Sequence, residues 1–158
     1  MSKRVVIRGF RPEDLEVVHE VEGRSFPDAW SKDQLMSSYR SPQTYFLVAV
    51  LEGEVVGYII GRVEQSLEGR FFFGSRKLGH ILNIAVIPEL RRSGMGTRLM
   101  MSLEDLFRIE EVERVKLEVR ASNIGAQKFY EELGYEKKRT ALLYYGDEDG
   151  IIMEKRLR

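Results

Sequence analysis

Arg91-Arg92-Ser93-Gly94-Met95-Gly96-Thr97 is the segment that most restricts how this chain folds. It follows His80 to Ile87, an apolar run closed by Pro88 that reads as a strand buried on both faces. It precedes a helical stripe of Leu99, Met100, Leu103, Leu106 and Phe107. A glycine turn between a buried strand and a long helix lets the backbone bend tightly and come close to a ligand. The first turn of the helix leaves N–H groups unpaired at a positive end, which suits a phosphate. Two arginines and two hydroxyls add donors, so a pyrophosphate is the natural ligand. A nucleotide P-loop would end in Gly-Lys-Ser/Thr, which is missing here. A dinucleotide fingerprint would place a third glycine where Leu99 stands. Coenzyme A, whose pyrophosphate needs no magnesium, remains, beside the alternative of a plain strand-to-helix turn.

The other elements fall around this turn. Arg4 to Arg8 predicts a first strand, and Pro12 with Leu15, Val18 and Val21 a first helix. Phe26-Pro27-Asp28 breaks it, and Ser31 with Gln34 forms a capping box for a second helix through Leu35, Met36 and Tyr39. Tyr45–Leu51 and Val55–Val63 predict a hairpin around Glu52-Gly53-Glu54. Residues 64–77, with Phe71-Phe72-Phe73, read as less regular: a groove lining, an edge strand or core. Val115–Val119 predicts a strand. Asn123 caps a helix carrying Ala126, Phe129, Tyr130 and Leu133 and stopped by Gly134. By helical spacing Phe129 is its core aromatic. Strands near Tyr135–Leu143 and Ile151–Lys155 close the chain. The order predicts a mixed α/β (α+β) sheet packed by helices in one domain, residues 1–158.

Composition excludes several classes. Hydrophobic residues are 43% and charged residues 32%, which rules out a disordered chain. Lys+Arg 25 balance Asp+Glu 25, so nothing points to nucleic acid or a membrane surface. There is no cysteine, hence no thiolate nucleophile or thiolate metal site. The longest apolar run, Phe46 to Leu51, is far short of the roughly 20 residues that span a bilayer. The expectation is a soluble, cytoplasmic protein. Glu16-x-x-His19 has metal-ligand spacing but no second cluster, so it reads as a solvated pair and no metal is expected.

The turn, with Arg91, Gly94 and Gly96 in the motif positions, resembles the Gln/Arg-x-x-Gly-x-Gly/Ala motif of the GCN5-related N-acetyltransferase superfamily. The resemblance extends along most of the chain. Leu117-Glu118-Val119-Arg120-Ala121-Ser122-Asn123, Ala126, Phe129-Tyr130 and Leu133-Gly134-Tyr135 are similar to the protein N-terminal acetyltransferases, including those that modify ribosomal-protein alanine. Gly79-His80-Ile81, running into Ile84-Ala85-Val86, and Tyr144-Tyr145 before an acidic turn resemble the archaeal nascent-chain enzymes. The resemblance implies a fold with a splayed strand pair and acetyl-CoA lying in the splay. It implies that backbone groups of Ile84, Ala85 and Val86 hold the pantetheine and thioester. N–H groups of Arg92, Ser93, Gly94, Met95, Gly96 and Thr97 would hold the pyrophosphate, and Asn123 would lie near the pantetheine arm. Tyr130 matches the tyrosine that protonates the departing thiolate.

The acceptor amine must lose a proton. An α-amine, with a pKa near 7.7–8.0, is roughly a tenth neutral at pH 7, whereas fewer than about one lysine in a thousand is. An α-amine therefore needs only a weak base. By resemblance Glu118 and His80 are candidates, and so is Asp28 in Phe26-Pro27-Asp28-Ala29-Trp30, where archaeal relatives carry Leu-Pro-Glu-Asn-Tyr. Phe26, Pro27, Asp28, Trp30, His80, Tyr144 and Tyr145 would grip the substrate's N-terminus. Each has a structural alternative: Glu118 a satisfied strand carboxylate, with an arginine as one candidate partner, His80 a hydrogen-bonded core histidine, Asp28 a turn acid, and the aromatics packing under a loop. The expected activity is direct acetyl transfer from acetyl-CoA to protein N-termini, on nascent chains, at the ribosome or on a ribosomal protein. A lysine or small-amine acceptor, and a coenzyme A sensor without chemistry, stay open.

Overall fold

The computed structural model describes residues 3–66 and 76–157. Phe71-Phe72-Phe73 lies outside the described residues. Among the described residues the α-helices are α1 (Leu15–Ser25), α2 (Lys32–Arg40), α3 (Met95–Ile109) and α4 (Ile124–Glu132). The strands are β1 (Val5–Gly9), β2 (Thr44–Leu51), β3 (Glu54–Ser66), β4 (Arg76–Val86), β5 (Arg114–Arg120), β6 (Glu136–Ala141) and β7 (Gly150–Arg156). They form one mixed sheet in the order β1-β2-β3-β4-β5-β7-β6. Only β4 and β5 are recorded as a parallel pair among the described residues. None of the described helices is long and apolar enough to cross a membrane.

The chain divides into two compact units, Met1–Arg62 with Asn83–Leu106, and Val63–Leu82 with Phe107–Arg158. In the first, β1 and β2 pair antiparallel from Val5↔Leu51 to Gly9↔Leu47, and β2 continues into the β3 hairpin. Val18, Val21, Leu35, Val48, Ile59 and Leu99 are buried there. Phe10 stacks on Phe46 with ring centroids 4.1 Å apart and takes the edge of Tyr39 at 5.2 Å. A Cβ on Gly57 would come within 2.9 Å of the Ala85 carbonyl, so a glycine is what lets β3 lie this close to β4.

In the second unit, β5 alternates half-buried and buried positions along its length, with Val115, Leu117 and Val119 inward. This is the period of two that a pleated strand imposes. β5 pairs parallel with β4 at Leu78↔Arg114, Gly79↔Val115 and His80↔Lys116. Among the described residues that ladder stops at His80, although Ile81 and Leu82 of the same unit follow. On its other side β5 pairs antiparallel with β7 over its whole length.

Three expectations need correcting. The strand His80–Ile87 is not buried on both faces: it begins at Arg76, and Leu82, Asn83 and Ile84 are only half-buried. It lies inside a sheet, yet the face of His80, Leu82 and Ile84 is only partly covered. β6 ends at Ala141 rather than Leu143, because Leu143 takes a left-handed φ of 49° that no strand tolerates. Tyr130, not Phe129, is the buried aromatic of α4.

At the start of the chain, Arg8 holds Asp14 with two bonds of 2.7 and 2.9 Å, and the Arg11 N–H donates to the same carboxylate at 2.8 Å. The Arg8 guanidinium keeps the Asp14 carboxyl below its ordinary range, although burial works against this. A lowered carboxyl stabilises the fold above its unfolded value, and that stabilisation is lost as pH falls through the lowered one. Asp14→Asn is therefore expected to reduce stability near neutral pH by about 1–3 kcal/mol. In urea melts at stepped pH, its deficit against wild type should close as the pH falls beneath the ordinary aspartate value of about 3.9.

Candidate active site

The second unit gathers a row of polar groups on the half-buried face of β5. With Val115, Leu117 and Val119 turned inward, Lys116, Glu118 and Arg120 must project to the opposite face. His80, registered against Lys116, places its imidazole between two carboxylates. Its Nε2 lies 2.7 Å from Glu118 Oε2 and its Nδ1 lies 3.1 Å from Glu64 Oε1. The His80 and Glu118 side chains are each 12% exposed. Lys116 Nζ stands 3.8 Å from Glu64 Oε2. A neutral imidazole has one N–H, yet here both nitrogens face an acceptor. Both ring nitrogens of His80 are therefore engaged by carboxylates, which ties three side chains into one row.

Glu118 is a satisfied strand carboxylate, held by His80 at 2.7 Å. His80 has both ring nitrogens bonded and is 12% exposed, as a hydrogen-bonded core histidine would be, and it stands beside the second candidate base. Glu64 was not a sequence candidate, since residues 64–77 looked irregular. The usable signal was period two: β3 runs on to Ser66, and Val63 is buried between half-buried Arg62 and Glu64.

Tyr130 enters this unit from α4, beside Phe129 at 5.2 Å and Tyr135 at 6.0 Å between ring centroids. Burial pushes its phenol up to about 12, so it stays protonated near neutral pH. Asn123 Oδ1 accepts the Ala126 N–H at 3.1 Å, the expected N-cap.

The β6–β7 loop carries Tyr144 and Tyr145, whose rings meet edge to face at 4.9 Å. Arg120 lies 4.4 Å over the Tyr145 ring and bonds Asp147 at 2.9 Å and Glu148 at 3.1 Å. Glu148 also accepts from the Ser122 N–H and hydroxyl. These donors hold both loop carboxyls low, with Ser122 the larger influence on Glu148 and Arg120 on Asp147. Burial raises both phenols, and Glu118 adds to the rise. Tyr144 is half exposed while Tyr145 is tucked over Arg120.

The first unit holds the other candidates. Arg91, Arg92, Ser93 and Gly94 form the turn, with left-handed φ values of 63° at Arg92 and 87° at Gly94. The Ser93 hydroxyl donates to the Leu90 carbonyl, and Arg91 Nε reaches the Val86 carbonyl at 3.4 Å. α3 starts at Met95, so the N–H groups of Met95, Gly96 and Thr97 have no intrahelical partner. That fits a phosphate. Ile84, Ala85 and Val86 end β4.

Phe26, Pro27, Asp28 and Trp30 lie in the loop that follows α1. The Phe26 N–H caps α1 on the Glu22 carbonyl, and Ser31 with Gln34 opens α2 as the expected capping box. Asp28 is exposed. Glu22 and Asn83, which sequence reasoning passed over, hold this loop. The signal was a charged residue four positions after Val18, on the apolar stripe of α1. Among the described residues no group of three or more His, Asp or Glu side chains is arranged to hold a metal ion.

Comparison with known proteins follows the same lines. The profile of the acetyltransferase (GNAT) family matches residues 15–135. An N-alpha-acetyltransferase of Sulfurisphaera tokodaii is 32% identical over 155 residues, covering 96% of this chain and 93% of that protein. The crystal structure of Naa20 from Chaetomium thermophilum with a bisubstrate analogue matches with a TM-score of 0.83 and 32% identity, over 96% of this chain and 86% of that one. The ribosomal-protein-S18-alanine N-acetyltransferase of Escherichia coli matches with a TM-score of 0.82 and 28% identity, over 98% and 94% of the two chains.

Arg120→Ala should loosen the tyrosine loop, since it removes the cation under Tyr145 and both carboxylate bonds. Losing about 1.5 kcal/mol of local stability corresponds to roughly tenfold faster opening. Amide hydrogen exchange at residues 143–149 is expected to rise by that factor, with the α4 amides unchanged.

Proposed function

The chain belongs to the GNAT acetyltransferase family, and from that premise we propose that it transfers acetyl from acetyl-CoA to the α-amino group of protein N-termini. The observation that carries the reading is the bond between Glu118 and His80, extended to Glu64, in the same unit as a buried Tyr130. Three further likenesses support it. The Sulfurisphaera relative is an N-alpha-acetyltransferase, the Naa20 structure was solved with a bisubstrate analogue, and the Escherichia coli enzyme acts on a ribosomal-protein alanine.

The cosubstrate supplies an acetyl group activated as a thioester. In this reading the N–H groups of Arg92 to Thr97 bind its pyrophosphate, with Gly94 providing the left-handed backbone the turn needs. Arg91 stays on the Val86 carbonyl and fixes the strand end to the turn. Backbone groups of Ile84, Ala85 and Val86 hold the pantetheine and thioester, and Asn123 borders the arm.

The acceptor nitrogen bonds to the acetyl carbon as the carbon–sulfur bond breaks. Glu118 takes the amine proton, directly or through one water, and His80 and Glu64 relay it. A weak base suffices, because an α-amine is partly neutral at pH 7. Tyr130 donates a hydrogen bond to the departing sulfur. With its phenol at about 12 and a thiol near 8.5, full transfer of the proton is uphill by roughly 5 kcal/mol. Tyr130 therefore steadies the thiolate, and solvent completes the protonation as product leaves. Phe26, Pro27, Asp28, Trp30, Tyr144 and Tyr145 hold the peptide, with Asp28 facing the amino terminus. We propose as acceptors the N-termini of nascent or ribosomal proteins, and with them a cytoplasmic location.

The test is acetyl transfer to peptides beginning with Ser, Ala or Met, beside an N-terminally blocked peptide with an internal lysine. Transfer confined to unblocked N-termini is expected; transfer to the lysine alone would overturn the reading. Glu118→Gln and Tyr130→Phe should each lower kcat by about 10²-fold or more, with smaller changes in KM.

A further inference from the structure

Glu22 is one of the most deeply buried side chains, 1% exposed, on the core stripe of α1. Its Oε1 accepts the Trp30 N–H at 3.0 Å. The Asn83 amide Nδ2 lies 2.9 Å from Oε1 and 2.8 Å from Oε2. All three bonds come from neutral donors. Burial pushes the Glu22 carboxyl up, while the bonds from Trp30 and Asn83 pull it down. Burying a carboxylate carries a desolvation cost, which these three bonds offset. What the carboxylate does supply is direction: it joins one backbone N–H of a loop to one side chain of a strand.

The two joined segments matter. The loop carries Phe26, Pro27, Asp28 and Trp30. Asn83 immediately precedes Ile84, Ala85 and Val86 on β4. The loop's ends are fixed by the Phe26 cap and the Ser31–Gln34 box, and the Trp30 N–H is held by Glu22. We infer that Glu22 is a positioning residue for the acceptor: through the Trp30 amide and the Asn83 side chain it sets where the loop presents the substrate's N-terminus to β4. The inference rests on the proposed function and adds to it the device that fixes the acceptor. A misplacement of about 1 Å at such a loop can cost 10²-fold in rate.

Glu22→Gln tests this in a chosen way. Gln can still accept from the Trp30 N–H, but its N–H2 replaces the oxygen that accepts from Asn83 at 2.8 Å, so the Asn83 amide must turn over to meet it. Adding Asn83→Asp restores donor to acceptor and keeps one buried negative charge. Trp30 is the only tryptophan in the chain, so its emission reports peptide binding without turnover. Glu22→Gln should raise the peptide Kd by this titration, and the peptide KM, about tenfold or more. The KM for acetyl-CoA should move by less than about twofold. The double variant Glu22→Gln/Asn83→Asp should return both peptide constants to near wild type, which a loss of bulk packing would not do.

An unchanged peptide Kd in Glu22→Gln overturns the inference. So does an equal loss in both KM values and Tm that the double variant fails to rescue. If Glu22→Gln does not fold, Asn83→Ala carries the same comparison, since it leaves the Trp30 bond in place. If wild type acetylates only the lysine peptide, the proposed function falls, and the same titrations with that peptide decide the role of Glu22. If wild type binds neither peptide, both readings fall.

Discussion

The strict alternation of β5 is the constraint on which the chemistry of this chain depends. Val115, Leu117 and Val119 are anchored inward, and pairing with β7 along the whole strand fixes the register. Lys116, Glu118 and Arg120 are then left no choice of face. Glu118 meets His80, Lys116 approaches Glu64, and Arg120 reaches up to Tyr145 and the acidic loop. One apolar pattern thus positions both the carboxylate–imidazole row and the anchor of an aromatic loop. A slip of one residue would exchange all three for valines and a leucine.

The polar groups on that face are affordable because they satisfy one another. Glu118 and His80 are nearly buried, and an isolated carboxylate at that depth would be costly to ionise. Their mutual bond, with Glu64 on the second nitrogen, spreads the charge over three groups. Arg120 plays the same part for Asp147 and Glu148. Both clusters combine a satisfied interior with one edge open to solvent, which is what a group that must exchange protons or touch a peptide requires.

Much of this was legible in the sequence. The glycine turn, the Ser31–Gln34 box, the Asn123 cap and the period of β5 are local signals, and each forms as its chemistry dictates. His80 and Glu118 were legible as candidates, but not as partners, since 38 residues separate them and only the sheet brings them together. Glu64, Glu22 and Asn83 were missed for a related reason. A carboxylate on a core stripe looks like an error in the pattern until the amide that meets it is known, 61 residues away in the case of Asn83. Phe129 and Tyr130 were exchanged because adjacent helical positions differ by only about 100° in direction, less than the width of the buried stripe they border.

The strength of the base and the nature of the acceptor are linked. A lysine amine sits some 2.5 pKa units above an α-amine, equivalent to roughly 3 kcal/mol more for deprotonation. A site built for lysine would need a base raised well above an ordinary carboxylate, or a strong field to depress the amine. Here the Glu118 carboxylate is bonded to His80, and burial pushes the Tyr130 phenol up to about 12. In the proposed mechanism such an arrangement removes protons that leave easily and steadies the sulfur as it departs. It therefore favours an acceptor that arrives already partly neutral, and among the amines of a protein the N-terminus is the one that does.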